Sequence, residues 1–310
     1  SSAYAIIASK NDDTDIEYFD IKRNYQVRSL LAAIEVLYKR EMITEDDCKT
    51  CFHNLRNFFF LFHSCSYTSN KTDKAIANAA FDVYHTKSEM DFKYVISDVF
   101  RELSKFISSS TVDELMFTTS SMHYSLKNSA YKSNHRIVKY ILYCLYMPDQ
   151  RDTVLDQSRL TIEHLLNDDG SVRNSSIYNL TLTSGEINSN ELKNRGLVEK
   201  IGILKSQSSV IANQKLDEYL DAQGEYLEDK RKNDLKEQAI SNVFKYEGSP
   251  FGYTKEMVDG YLKMKRALQS DEELLAVLLE RGMNIQAYLS NNPAMQDAYN
   301  RFLTLCGTTS

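Results

Sequence analysis

Residues 160–190 read LTIEHLLNDDGSVRNSSIYNLTLTSGEINSN and interrupt a chain whose patterning is otherwise helical. Leu160 and Ile162 alternate with Thr161 and Glu163 up to His164, the period of two that a half-buried strand requires. Asn167 to Ser176 is polar and contains Gly170, which reads as a turn. After Asn179, Leu180 and Leu182 alternate with Thr181 and Thr183 as a second strand, and Asn188 is expected to open a helix. The stretch therefore predicts a compact ββα unit embedded in a mainly α chain, a helical bundle.

Upstream, Val27, Leu30, Leu31, Ile34 and Leu37 recur at helical spacing over residues 25–38, with Lys39 and Arg40 at the cation-favouring end. Thr44-Glu45-Asp46-Asp47 starts a second helix, whose stripe carries Cys48, Cys51, Phe52, Leu55, Phe58, Phe59 and Phe62. Cys48 and Cys51, with His53, His63 and Cys65 nearby, raise the question of zinc. Zinc needs four convergent ligands, whereas this stripe sets the thiols among phenylalanines, so core cysteines are expected. Further helices are expected over 75–85, 91–107 and 137–146, the last stopped by Met147-Pro148-Asp149. Downstream, residues 191–205 and 214–244 read as helices, the second long and charged. Ser270-Asp271-Glu272-Glu273, Gly282 and Asn291-Asn292-Pro293 mark more helices near the end.

The chain of 310 residues carries a net charge of −6, with 42% hydrophobic residues, 3 prolines and no tryptophan. That composition supports a large core and does not favour strong, autonomous nucleic-acid binding. With 5 cysteines and no export signal, a reducing, cytoplasmic setting is expected. Any nucleic-acid contact must then come from a local patch or a partner. Lys127, Lys132, Arg136 and Lys139 lie beside Tyr131 and Tyr140, a pairing that suits phosphates and stacked bases, or equally a solvated helix face. Lys193, Arg195 and Lys200 form a second basic group.

Hydrolysis of a phosphodiester needs a base, a positive centre and fixed geometry. His164 can act as the base, since an ordinary imidazole is largely neutral at pH 7. Asn179 on the paired strand could accept the ring N–H and choose its tautomer. Glu163 and Asn188 offer oxygens to a hard cation such as Mg²⁺ or Mn²⁺. Taken singly, each has an ordinary structural alternative: a satisfied histidine, or an asparagine cap.

The strings TIEHLL, IYNLTLTSGEIN and LKNRGLVEK together resemble the HNH-like nuclease domain at the C-terminal end of GmrSD-type modification-dependent restriction enzymes. That family carries an E-H-I-L-P strand, then G-N-L-T-L-L, an L-N, and an N-x-x-F-x-x-K tail. The resemblance implies His164 as general base, Asn179 as site organiser, Asn188 and Glu163 as metal-ligand candidates, and Lys200 as a phosphate contact. Asn167 stands in place of the family's proline, Tyr178 in place of its glycine and Leu197 in place of its phenylalanine. LRNFFFLF and HRIVKYILYCLY also resemble the helices that precede the family's nuclease domain.

The resemblance further implies a metal-dependent endonuclease that nicks or cleaves foreign or modified DNA in antiphage restriction. It also implies an NTP-binding half upstream or on a partner chain, because no phosphate-binding G-x-x-x-x-G-K-[ST] loop occurs here. An inactive helical interaction module and a ribonuclease are the competing expectations. The expected division is a loose or truncated segment 1–20, a helical domain 21–148, a nuclease unit 149–246 and a helical extension 247–310.

Overall fold

A computed structural model describes residues 14–65, 67, 69–150, 155–193, 195–263, 265–266 and 290. The signals read at 270–273, 282 and 291–293 lie outside them. The described chain is mainly helical, with a single two-stranded sheet among the described residues. The first half is α1 (Thr14–Ile21), α2 (Arg28–Lys39), α3 (Glu45–Ser64), α4 (Asp73–Tyr84), α5 (Glu89–Ser104), α6 (Ser109–Leu115), α7 (Ser129–Lys132) and α8 (His135–Tyr146). Then come β1 (Leu160–His164), α9 (Val172–Ser175), β2 (Leu180–Ser184), α10 (Gly185–Asn190), α11 (Leu197–Gln207) and α12 (Glu228–Gln238).

The centre of the bundle is α3. Thr44 and Asp47 close a reciprocal capping box at its start, and three acidic residues in the first turn complement the helix dipole. Phe58, Phe59, Phe60 and Phe62 are all buried, so the second half of the helix packs on several sides, while Lys49 and His53 in its first half are exposed. Cys48 and Cys51 are buried thiols, as the stripe implied, and so are Cys65 and Cys144.

The buried polar residues of α3 hold residues 243–247. Arg56, Asn57 and Asn54 donate to the carbonyls of Val243, Lys245 and Glu247, at 3.1, 2.6 and 2.8 Å. Phe244 stacks on Phe60 with ring centroids 3.6 Å apart. One hydrophobic core consequently runs from Ile16 to Phe244 and takes in Leu160, Ile162, Leu180 and Leu182. This larger cluster crosses the division expected at residue 148, while a second, smaller one, Leu165, Leu192, Ile201, Leu204 and Leu216, lies wholly after it. Likewise α1 begins inside the segment expected to be loose and buries Ile16, Tyr18 and Phe19.

Two sequence-based helices are corrected. The helix expected over 191–205 starts only at Leu197; the shorter α10 precedes it, capped by the Ser184 hydroxyl, so Asn188 is an interior residue and not the opener. The long helix expected over 214–244 is broken into a 3₁₀ segment Ile211–Tyr219, a tight turn, α12, and a wider final turn Ala239–Val243. Gly224 sits at φ +81° in that turn, a left-handed conformation that suits glycine. The Asp221 carboxylate accepts the N–H groups of Gln223 and Glu225, and Leu220 bridges to Tyr226. Among the described residues no helix is long and apolar enough to cross a membrane.

Candidate functional site

Strands β1 and β2 pair antiparallel, with His164 opposite Leu180 and Ile162 opposite Leu182. The Leu165 N–H donates to the Asn179 carbonyl at 2.9 Å, which makes His164 and Leu180 a non-hydrogen-bonded pair. By the alternation of the ladder, the carbonyls of Ile162 and His164 point away from β2, and those of Leu180 and Leu182 away from β1. The ribbon therefore turns the carbonyls of Ile162, His164, Leu180 and Leu182 outward, and these must find donors if they are buried.

Each finds a side chain. Asn188 Nδ2 donates to Ile162 at 3.0 Å and Lys200 Nζ to His164 at 2.6 Å. On the other edge Asn213 Nδ2 donates to Leu182 and Arg231 to Leu180, both at 2.8 Å. Lys200 also lies 2.5 Å from Glu163 Oε1. Only 4% of its side chain is exposed, so Lys200 is not the surface phosphate contact that the resemblance implied.

His164 is buried at the end of β1, and its Nε2–H donates to the Tyr124 carbonyl at 3.0 Å. A carbonyl only accepts, so this bond fixes the tautomer and leaves the lone pair on Nδ1. Burial pulls the imidazole below its ordinary value, while the Tyr124 carbonyl and Asp168 pull it back up. The ring stacks on Tyr124 with centroids 5.9 Å apart, and His135 meets the same tyrosine edge-on at 5.1 Å.

Asn179 does not orient the ring as expected. Its amide oxygen accepts the Leu166 N–H at 2.8 Å, and its nitrogen donates to the carbonyls of Leu166 and Asn174 at 2.9 and 2.7 Å. It staples the loop after β1; the residue that meets the imidazole is Tyr124, forty positions upstream.

Residue Tyr178 is half-buried. Its backbone carbonyl accepts the hydroxyl of Tyr226, and Lys232 lies 6.0 Å from its ring centroid.

Glu163 and Asn188 supply the metal-donor candidates. Among the described residues, Glu163 Oε2 and Asn188 Oδ1 make no hydrogen bond, although their partner atoms are engaged. Both residues serve the outer edge of β1. One carboxylate and one amide oxygen suit Mg²⁺, which takes few protein ligands and keeps several waters. Lys200 is the cation already seated on that carboxylate. No group of three His, Cys, Asp or Glu side chains converges among the described residues.

Of the basic residues, Lys127, Lys132, Arg136 and Lys193 are exposed and Lys139 is half-buried. Arg136 lies 3.6 Å from Glu17, and Arg195 pairs with Glu199 along its own chain segment. Because His135 touches the Tyr124 ring, the start of α8 with Arg136 borders the His164 site. Lys193 and Arg195 lie on the separate stretch between α10 and α11.

The sequence reading missed Tyr124, Ser125, Asp168, Asn213 and Arg231. Asp168 carried the one available signal, an acid next to Asp169-Gly170 in a turn four residues after the histidine. Comparison with family models, curated proteins and solved structures finds no match to the chain.

Proposed function

We propose that the chain is a metal-dependent endonuclease that nicks or cleaves foreign or modified DNA, with His164 as the base that takes a proton from water. The observation that carries this reading is the 3.0 Å bond from Nε2 to the Tyr124 carbonyl, which commits Nδ1 to accepting. A neutral imidazole in that tautomer can deprotonate water at physiological pH. Exposed Lys127, Lys132 and Arg136 beside the site hold phosphates, giving affinity that weakens with salt. Glu163 and Asn188 would hold Mg²⁺ or Mn²⁺, which when bound supplies Lewis-acid stabilisation of charge on a phosphoryl oxygen. The HNH-like unit, an NTP-binding partner and a cytoplasmic antiphage role belong to the same reading through the family resemblance.

A second reading has its own observation. The Lys200 pair with Glu163 and the side-chain donors along both strand edges are what a purely structural ribbon in an interaction module would also use.

The test is nicking of supercoiled plasmid with Mg²⁺, with Mn²⁺ and with chelator, comparing the chain with a folded His164→Ala variant. Activity that needs metal and His164 supports the nuclease. Equal inactivity of both folded proteins under every condition favours the interaction module. Matched DNA and RNA substrates separate a deoxyribonuclease from a ribonuclease.

A further inference from the structure

The segment that carries Tyr124 has no regular secondary structure around its carbonyl, yet that carbonyl must be aimed at the imidazole. Tyr124 N–H donates to Ser175 O at 2.8 Å, and beyond it the chain turns on one carboxylate. Asp168 Oδ1 accepts the Ser125 hydroxyl at 2.6 Å and the Gly170 N–H at 3.0 Å. Asp168 Oδ2 accepts the N–H groups of Leu126 and Lys127 at 2.9 and 3.3 Å. Ser125 Oγ in turn accepts from Lys127 and Asn128, both at 3.0 Å, and Asn128 Nδ2 donates to Gly170 O at 2.9 Å. A single carboxylate thus gathers donors from residues 125–127 and from its own loop.

The geometry points to Asp168 as a positioning residue for His164: it clamps the 125–127 turn to the loop after β1, and so holds the Tyr124 carbonyl where it receives the Nε2–H. Charge-assisted bonds to an ionised carboxylate are shorter and stronger than neutral ones, which suits a clamp that must fix a direction as well as a distance. Asparagine cannot replace it. One of its two terminal side-chain atoms is an amide nitrogen, which would face N–H or O–H donors with a donor in place of an acceptor. Asp169, the neighbouring acid, is exposed and bonds locally to Ser171, whose N–H it accepts at 2.8 Å, so it provides the control.

This inference rests on His164 being the base, and the experiment has two arms so that the two ideas can fail separately. In the first arm, ¹⁵N shifts of the His164 ring, assigned against His164→Gln, report which nitrogen carries the proton. The wild type and Asp169→Asn should show the Nε2–H tautomer, and Asp168→Asn a mixture. In the second arm, plasmid nicking with Mn²⁺ should lose about 10²-fold in kcat with KM unchanged in Asp168→Asn, as expected when a base is left in the wrong tautomer. Should Asp168→Asn not fold, Ser125→Ala removes one donor from the clamp and should move both readouts the same way by less. A folded Asp168→Asn protein that keeps the pure Nε2–H tautomer overturns the assignment, whatever the nuclease assay gives. Loss of the tautomer in Asp168→Asn, together with a wild-type chain that never nicks DNA, would support the clamp and remove the nuclease.

Discussion

Lys200 reaches from α11 to β1 and makes two bonds with one ammonium, 2.5 Å to the Glu163 carboxylate and 2.6 Å to the His164 carbonyl. Removing one member of a buried pair leaves an uncompensated charge. Lys200→Ala should therefore cost about 3–5 kcal/mol of stability, read from urea unfolding. The double replacement Glu163→Leu with Lys200→Met should cost clearly less than the sum of the two single changes. Simple additivity would mean that the pair does not act as a unit.

Asn179 is buried and makes three hydrogen bonds within the loop that follows β1. Asn179→Ala should cost about 3 kcal/mol, since each buried group left without a partner costs about 1–3 kcal/mol. The His164 ring should nevertheless keep its Nε2–H tautomer by ¹⁵N NMR, because Tyr124 and not Asn179 receives that proton. A switched tautomer in a folded Asn179→Ala protein would restore the role first expected for this residue.

Arg231 is fully enclosed beside β2, donating to the Leu180 carbonyl at 2.8 Å and to the Tyr146 hydroxyl at 3.0 Å. Arg231→Met keeps much of the volume and removes both donors. We expect a loss of about 2–4 kcal/mol from two unsatisfied acceptors, with faster amide exchange in β2 than in α3. Unchanged exchange in β2 would sink the idea that the outer edge depends on this side chain.

His63 gives stability a pH dependence of defined sign. Burial, with Lys22 adding to it, pushes the imidazole from 6.5 down to about 3, and Nδ1 lies 2.9 Å from the Tyr18 hydroxyl. Above pH 6.5 neither the native nor the unfolded chain protonates this group. Between 6.5 and about 3 the unfolded chain takes up a proton that the native chain refuses, so stability falls as the pH falls through that window. His63→Gln should lose less stability than the wild type between pH 7.5 and pH 4.5 in urea midpoints. Parallel curves for the two proteins would exclude His63 as the source.

Much of the fold could be read from local pattern. The alternation in Leu160–His164 and Leu180–Ser184 gave both strands, and the phenylalanine stripe of α3 placed Cys48 and Cys51 in the core. What failed depended on partners distant in sequence. A lysine and an arginine are read as surface charges because such side chains are seldom buried, yet Lys200 and Arg231 are drawn inside by backbone carbonyls that only strand pairing turns outward. The acceptor of the His164 proton is a main-chain oxygen, and every residue has one, so its position cannot be marked by residue type. The long charged stretch at 214–244 concealed a break because Gly224 and Asp221 act through backbone conformation, which helical charge spacing does not report.

All four donors that close the ribbon's edges follow it in the chain, on α10, α11, the segment Ile211–Tyr219 and α12. During synthesis from the N-terminus, β1 and β2 thus leave the ribosome before the side chains that finish them. A nascent chain that has passed Asn188 already contains His164, Asn179 and Tyr124, but its second strand stays open on one side until Arg231 has been added. The paired strands and the ribbon with its edges closed are different lengths of polypeptide.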